Sequence, residues 1–272
     1  MAGALGPEAE LVEVSADPPP EANDKERFTR SVERLVLDGG AEAGVHSAKD
    51  LPGEMTPGLS IAAVPARVDP RDAWIGPGDS ITGIPEGARV GTASLRRRAQ
   101  LKALRPDLKM VELRGNVDTR LAKLEAGEAD GLVLAMAGLE RLGRADVVSF
   151  AFGEDEMTPA AGQGCLVVQT RTGREAGVSA IGDPDSLTRL LAERAAVVGL
   201  GADCSSPVGV HARLEDDWLV LDAFVGRSDG SVWIRDRVEG DPSRPESLGR
   251  ELADRLLKAG ATEAMAGSNL SG

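Results

Sequence analysis

The sequence predicts an α/β protein with largely parallel sheets and two or three domains. Strand-like and helix-like segments alternate through most of the chain, which is typical of strands joined by crossover helices. The length of 272 residues limits the number of domains. Three alternating apolar runs near the C-terminus indicate a separate antiparallel sheet.

The first part of the chain is predicted to contain three strands and one helix. The strands are "ELVEVS" at 10–15, "AGVHS" at 43–47 and "SIAAVP" at 60–65. The helix covers "KERFTRSVERLVLDGG", because its apolar residues recur at helical spacing and a glycine pair ends it. Pro65 and Pro70 then mark a crossover to the next unit.

The segment from about 71 to 158 is predicted to form a compact unit of its own. Its strands are "ARVGTA", "KMVELR" and "GLVLAM", and its helices begin at "SLRRRAQLKAL" and "NVDTRLAKLEAGEA". Both helices start directly after a strand, as βαβ units require. The strand "CLVVQT" at 165–170 follows and is expected to return to the first part.

The last part of the chain is predicted to combine helices with an antiparallel sheet. The elements are a helix "SLTRLLAERAAVVGL", the strands "VGVHARL", "WLVLDAFVG" and "SVWIRDRV", and a final helix "PESLGRELADRLLKAGA". Short polar turns join the strands, which favours hairpin connections. The final helix is expected to cover one face of this sheet.

Composition excludes several classes of protein. The net charge of −13 argues against binding to nucleic acid, which needs a basic surface. No apolar run approaches the roughly 20 residues that cross a bilayer, and no secretory signal is visible, so a cytoplasmic location is expected. Two cysteines and two histidines give no metal-ligand spacing, so no metal site is expected.

The stretch "GTASLRRRAQ" predicts an anion site at a helix start. Ser94 is a good N-cap residue, and Arg96, Arg97 and Arg98 follow in the first turn. The positive end of the helix dipole disfavours cations there, so the arrangement makes sense if backbone N–H groups and guanidinium groups bind the same anion.

The same pattern recurs in "LRGNVDTRL". Asn116 can cap the helix, Arg114 precedes it, and Arg120 lies in its first turn. Both helices follow strands, so both starts should lie at the carboxyl edge of a parallel sheet, and together they imply a polyanionic ligand. The alternative is that these arginines are solvated or paired with the chain's many carboxylates.

Two further motifs leave their interpretation open. "VHSAKDLP" places Ser47, Lys49 and Asp50 in a loop after a strand, where the carboxylate is either an acid–base group or half of a surface ion pair. In the turn "GADCSSPVG", Cys204 is either an ordinary buried side chain or a covalent handle. Cys165 opens an apolar strand and is expected to lie in the core.

These motifs, taken in order, resemble the porphobilinogen deaminase (hydroxymethylbilane synthase) family. The matching segments are "VHSAKDLP", "DPRDAWIG", "VGTASLRRRAQL", "ELRGNVDTRL", "AMAGLERLG", "PAAGQG", "AERA" and "GADCSSPVGVHARL". The resemblance runs from about residue 9 to the C-terminus and is specific because so many motifs occur in the family's order.

The resemblance implies a transferase of tetrapyrrole (haem and porphyrin) biosynthesis. In this family a dipyrromethane cofactor is linked to the cysteine that Cys204 matches. Porphobilinogen molecules, four in all, are added head to tail with loss of ammonia, and water releases hydroxymethylbilane. The resemblance also implies a monomer that acts on a small molecule, whereas the expected absence of nucleic-acid and membrane partners rests on the charge and hydropathy described above.

The resemblance also implies roles for individual residues. Asp50 matches the family's catalytic aspartate, which stabilises the cationic azafulvene and helps proton transfer. The residues that match cofactor and substrate contacts are Lys25, Ser47, Lys49, Thr92, Ser94, Arg96, Arg97, Arg114, Asn116, Arg120, Arg141 and Gln163. The arginines among them suit the acetate and propionate groups of the pyrrole rings.

The implied fold has three domains, of which the first two resemble type II periplasmic binding protein domains. The expected boundaries are 1–66 with 160–180, 69–158, and 184–272, the last being a small α+β domain that carries the Cys204 loop. The family's N-terminal strand and helix, with a "GTRGSxLAxxQ"-like motif, have no match in this sequence. A start placed too late would explain this, as would a truncated, impaired member that binds carboxylated pyrroles or another anion without turnover.

Overall fold

The protein has the α/β fold that the sequence predicts, and its described residues form three separate sheets. The computed structural model describes residues 9–12, 14, 24–203 and 205–266, and within the first helix it describes side chains from residue 29 onward. Across these residues, no helix is both long enough and apolar enough to cross a membrane.

The first sheet combines strands from distant parts of the chain. Its strands are β1 (Ala43–Ser47), β2 (Leu59–Ala63) and β8 (Leu166–Arg171), in the order β1-β8-β2. Helix α1 (Asp24–Leu37) packs against β1 and β8. The predicted return of "CLVVQT" is therefore confirmed. The prediction of parallel strands is wrong here, because β8 enters between β1 and β2 and runs antiparallel to both.

The strand predicted over 10–15 is not present in the part of that segment that the structure describes. Residues 10–12 and 14 have extended or irregular backbone without strand pairing, and residues 13 and 15 lie outside the described residues.

The second sheet has five strands in the order β5-β4-β6-β3-β7. Its strands are β3 (Asp72–Ile75), β4 (Arg89–Gly91), β5 (Lys109–Val111), β6 (Gly131–Ala135) and β7 (Phe150–Ala151). Its helices are α2 (Leu95–Leu104), α3 (Val117–Glu125) and α4 (Met136–Arg141). Strand β4 is parallel to β5 and β6, whereas β3 is antiparallel to β6 and β7.

Strands β3 and β7 are the two strands of this sheet that no sequence pattern indicated, and β3 is the more buried of them. All four of its residues are buried, so its sequence lacks the apolar–polar alternation that indicates a strand with one solvated face. Trp74 is fully buried and packs flat against Gly131, where an added Cβ would lie 2.2 Å from the indole ring. The contact explains why a glycine opens strand β6.

The third unit is the predicted antiparallel sheet with helices on one face. Its elements are helix α5 (Pro184–Gly199), strands β9 (Val208–Glu215), β10 (Trp218–Gly226) and β11 (Trp233–Gly240), and helices α6 (Pro245–Lys258) and α7 (Ala261–Ala266). The sheet order is β11-β10-β9, and both pairings are antiparallel. Helices α5, α6 and α7 share one hydrophobic core with the sheet, in which Leu252 and Leu256 are fully buried.

A buried carboxylate joins the third unit to the crossover and to the first unit. Glu193 on α5 accepts a hydrogen bond from Arg67 Nη1 at 2.6 Å, and both side chains are almost completely buried. Its oxygens also accept the backbone N–H groups of Gly162 at 2.6 Å and Ala212 at 2.7 Å. Arg67 lies in the crossover and Ala212 in β9, so this one side chain ties three separate segments together.

His211 on β9 extends this cluster. Its Nε2 lies 3.2 Å from Glu154, and its Nδ1 lies 3.4 Å from Glu193. Burial alone would lower the pKa of His211, but its interactions with the two nearby carboxylates outweigh burial and the repulsion from Arg67, so the pKa is raised. The protonated imidazole therefore stabilises the folded state.

We predict a pH-dependent contribution of His211 to stability. Because its folded-state pKa is raised, the stabilisation is fully present below the unfolded-state pKa of about 6.5 and is lost as the pH rises through the folded-state pKa. His211→Gln should therefore lower the free energy of unfolding more at about pH 5.5 than at about pH 9. Urea titrations at the two pH values measure the difference.

His46 provides the control, because burial lowers its pKa despite the nearby Glu33. Protonation of His46 at low pH therefore destabilises the folded state. His46→Gln should increase the free energy of unfolding at about pH 5.5 relative to its effect at about pH 9. An equal loss of stability at both pH values in His211→Gln would show that its charge does not matter.

Candidate active site

A cavity of about 520 Å³ lies where the three units meet. Helix α1, the loop after β1, the start of α2, the 160–163 segment, helix α5 and the turn before β9 all contribute to its wall. The polar and charged side chains lining it are Thr29, Arg30, Glu33, Lys49, Asp50, Glu54, Thr56, Ser94, Arg96, Arg97, Gln163, Arg194, Asp203 and Ser206. A volume of this size suits a ligand of several rings.

The loop after β1 brings Lys49 and Asp50 to the cavity. A single 3₁₀ turn, Ala48–Asp50, ends the strand and directs both side chains away from the sheet. The backbone carbonyl of Asp50 accepts a hydrogen bond from Thr29 Oγ1 of α1 at 3.3 Å. Lys49 Nζ donates to Gln163 Oε1 at 3.4 Å. The two residues that the sequence placed in this loop therefore both line the cavity.

The start of α2 forms another part of the wall. Ser94 is the N-cap, as predicted, and its hydroxyl accepts the backbone N–H of Arg97. Arg96 donates to Asp72 Oδ2 at 2.7 Å, and Arg97 donates to Asp72 Oδ1 at 2.9 Å. The arginines line the cavity while their guanidinium groups share one fully buried carboxylate.

Sharing one carboxylate leaves this cluster positively charged. Burial alone would raise the pKa of Asp72, but the charges of Arg96 and Arg97 outweigh it and hold the pKa far below its usual range. Two cations and one anion leave one net positive charge beside the cavity. Asp72 lies at the start of β3, and a single acidic residue opening an apolar strand was the signal in the sequence for this partner.

Gln163 connects the arginine cluster to the Lys49 loop. Its Nε2 donates to Asp72 Oδ1 at 3.0 Å and to the Pro70 carbonyl at 2.7 Å. Its Oε1 accepts the bond from Lys49, so the side chain is held at both ends. Gln163 is almost fully buried, and its orientation is therefore fixed by the fold.

The start of α3 lies next to this cluster but outside the cavity lining. Asn116 caps the helix, as predicted, and its Oδ1 accepts the N–H of Thr119 at 2.8 Å. Burial, together with the nearby charge of Arg97, lowers the pKa of Arg120 to about 10. Arg114 is largely exposed and forms an ion pair with Glu112 at 2.6 Å.

The remaining predicted residues lie outside the cavity lining or outside the described residues. Thr92 is fully buried and accepts the N–H of Ser94, Ser47 ends strand β1, and Arg141 Nη2 donates to the Gly164 carbonyl at 2.8 Å. The side chain of Lys25 and all of Cys204 lie outside the described residues. The flanking residues Asp203 and Ser206 both line the cavity.

Arg194 lines the cavity from α5, although no sequence motif indicated a role for it. Its Nη2 donates to the carbonyls of Pro52 and Gly53, each at 2.8 Å. Its only sequence signal was its place in "AERA". Cys165, by contrast, is fully buried, as predicted, and burial raises its pKa to about 11.

The site suits an anionic ligand that reacts beside a carboxylate. Lys49, Arg96 and Arg97 supply cationic groups around the same space in which Asp50 supplies a carboxylate. Guanidinium groups bind carboxylates strongly, and a fixed carboxylate can stabilise a developing cation or transfer a proton. Among the described residues, no group of three or more His, Cys, Asp or Glu is arranged to hold a metal ion.

We predict that Asp72→Asn strongly destabilises the protein. The amide removes the charge that pairs two buried arginines, and breaking a buried ion pair from one side costs about 3–5 kcal/mol. Chemical denaturation measures the loss in the free energy of unfolding. Asp130→Asn, which breaks the half-exposed pair with Arg89, is the control and should change stability far less. Equal effects of the two substitutions would contradict this account.

Comparison with known proteins identifies two family models in this chain. Residues 13–178 match the porphobilinogen deaminase dipyromethane cofactor binding domain. Residues 187–258 match the porphobilinogen deaminase C-terminal domain. Among solved structures, a TRAP periplasmic solute binding protein from Desulfovibrio salexigens is 13% identical and covers 56% of this chain and 57% of that chain. Its TM-score is 0.35, which is too low to bear on the fold.

Curated relatives agree with the family models. The porphobilinogen deaminase of Roseiflexus castenholzii is 44% identical over 90% of this chain and 82% of the relative. The porphobilinogen deaminase of Thermus thermophilus is 45% identical over 88% of this chain and 81% of the relative. That of Thiobacillus denitrificans is 43% identical over 86% of this chain and 78% of the relative. The chain therefore belongs to the porphobilinogen deaminase family.

Proposed function

We propose that this protein is a transferase of tetrapyrrole biosynthesis. It condenses porphobilinogen molecules, four in all, head to tail with loss of ammonia and releases hydroxymethylbilane. The observation that carries the proposal is the cavity, in which the Asp50 carboxylate and the Arg96–Arg97 cluster face the same space. Membership of the family supplies the chemical identity of the ligand, and the geometry supplies the means of holding it.

The residues present fit a dipyrromethane group attached at Cys204. The cavity reaches the residues on both sides of position 204, since Asp203 and Ser206 line it. Its basic side chains include the cluster that keeps a net positive charge, which suits the carboxylates of a pyrrole chain. When bound, the dipyrromethane supplies the pyrrole carbon to which the first substrate is joined.

Asp50 is the group we propose as catalytic. Loss of ammonia from porphobilinogen leaves a cation, and a carboxylate in the cavity wall stabilises that charge and transfers a proton. Its neighbour Lys49 is held by Gln163, which in turn is fixed on Asp72. This chain of bonds orients the loop relative to the arginines that bind the substrate's carboxylates.

The other binding residues are proposals of the same kind. Ser94, Arg96, Arg97 and Gln163 line the cavity directly. Seven other residues would contact a longer pyrrole chain or orient the residues that line the cavity. They are Lys25, Ser47, Thr92, Arg114, Asn116, Arg120 and Arg141. Arg120 supports this extension because it lies close enough to Arg97 for that charge to lower its pKa.

We also propose the domain boundaries, the location and the state of assembly. The domains are 1–66 with 160–180, 69–158, and 184–272, and the three sheets fall within these ranges. The protein acts as a cytoplasmic monomer on a small molecule, without nucleic acid or membrane as a partner. The net charge of −13 supports the absence of a nucleic-acid partner.

We predict that Cys204 carries the cofactor. Protein from a host that makes porphobilinogen should show, by intact mass spectrometry, an adduct with the mass of a two-pyrrole unit. Cys204→Ser should lack the adduct, whereas Cys165→Ser should keep it because that thiol lies in the core. An unmodified wild-type chain would refute covalent attachment.

We predict that Asp50→Asn abolishes most turnover without preventing attachment. The amide keeps the size of the side chain but can neither balance a developing cation nor accept a proton at neutral pH, so kcat should fall by about 100-fold or more. Consumption of porphobilinogen measures the rate, and the adduct mass measures loading. Glu54→Gln, which removes another carboxylate of the cavity wall, is the control. A wild-type rate in Asp50→Asn would refute the catalytic role of Asp50.

A further inference from the structure

Arg194 holds the loop that follows Asp50. Its Nη2 donates to the carbonyl oxygens of Pro52 and Gly53 at 2.8 Å each, and it lies 3.5 Å from Met55 Sδ. The arginine belongs to the third unit and the loop to the first, so these bonds cross between two units. They bind the backbone of the loop, and they therefore fix its path rather than one side chain.

Two neighbours of Arg194 on α5 contact the same loop. Leu190 and Val198 lie one helical turn before and after it, so the three side chains share one face of the helix. Leu190 is fully buried in a cluster with Leu51. A Cβ on Gly53 would lie 3.0 Å from Val198 Cγ2. The loop therefore rests along this face of α5 for about two turns.

The opposite side of the loop is held by α1. Thr29 donates to the Asp50 carbonyl at 3.3 Å, and Glu33 accepts the hydroxyl of Thr56 at 2.8 Å. The loop is thus bonded to α1 on one side and to α5 on the other, and these two helices belong to different units. Its position relative to the third unit depends on the contacts with α5.

Arg194 is a cation whose role at this position is not explained by stability. Within the described residues it forms no ion pair with a carboxylate, and burial lowers its pKa. A partly buried cation that is bonded to carbonyls costs more than a neutral side chain would, so stability alone does not account for it. A planar guanidinium can donate to two adjacent carbonyls in fixed directions, which a lysine does not reproduce.

We propose that Arg194 is a positioning residue that sets the distance between the Asp50 carboxylate and the turn that carries Cys204. Helix α5 ends at Gly199 and leads directly into that turn. One rigid helix thus holds the carboxylate's loop through Arg194 and continues into the attachment site. This inference rests on the proposed function, because it assigns Arg194 a role in the same reaction.

Arg194→Met tests the proposal by kinetics. With the adduct in place, kcat should fall by about 10- to 100-fold, because a displacement of about 1 Å at a reacting group costs that much. KM should change by less than about threefold, since the cations on α2 remain. The double variant Arg194→Met/Asp50→Asn should be no slower than Asp50→Asn alone, because a residue that acts through Asp50 has no effect once the carboxylate is gone.

Hydrogen exchange supplies a readout that does not depend on turnover. The amides of Leu51 and of residues 53–56 should exchange faster in Arg194→Met than in the wild type, while those of β9–β11 should not change. The matched control is Arg189→Met, because Arg189 lies on the same helix and donates to the Asp185 carbonyl and to Ser186, away from the cavity. Arg189→Met should have wild-type kcat and wild-type exchange in the loop.

Several outcomes would overturn the positioning role. Wild-type kcat in Arg194→Met, an additive loss in the double variant, or an equal loss in Arg189→Met would each do so. If Arg194→Met fails to fold, Gly53→Ala displaces the loop from Val198 with Arg194 intact, and a wild-type kcat there counts against the proposal. Unchanged exchange of the loop amides in Arg194→Met would refute the positioning role without any measurement of turnover. Absence of turnover in the wild type would instead refute the proposed function.

Discussion

A continuous network of buried polar bonds holds the three units around the cavity. It joins Glu193 on α5 to the arginines at the start of α2 through Arg67, Gln163 and Asp72. Each of these groups would be costly to bury alone, so the network is stable only when all three units are docked. The relative positions of the units therefore follow from the need to pair buried charges.

This network also determines the character of the cavity. Arg96, Arg97 and Gln163 of this network line the cavity, and its charged members neutralise one another except for one positive charge beside Asp72. Lys49, which also lines the cavity, is attached to the network through its hydrogen bond to Gln163. A rigid support with a residual positive charge is what a site for carboxylated pyrroles needs, because donors that are already oriented lose little entropy on binding.

Predictions from local sequence patterns are correct wherever neighbouring residues decide the structure. Both helix caps, Ser94 and Asn116, form the predicted side-chain bonds, because an N-cap depends on residues within one turn. The antiparallel sheet of the third unit was also predictable, since short turns join its strands. The direction of β8 was not, because a strand that returns from far along the chain can enter a sheet either way.

The sequence by itself determined the α/β class, the family resemblance and the presence of arginines at two helix starts. The tertiary structure decided what those arginines contact: Arg96 and Arg97 share Asp72, and Arg114 pairs with a surface carboxylate. It also brought Arg194 against a loop about 140 residues earlier in the chain. Such contacts depend on how the three units dock, and charge pairing between distant residues leaves no periodic signal in a single sequence.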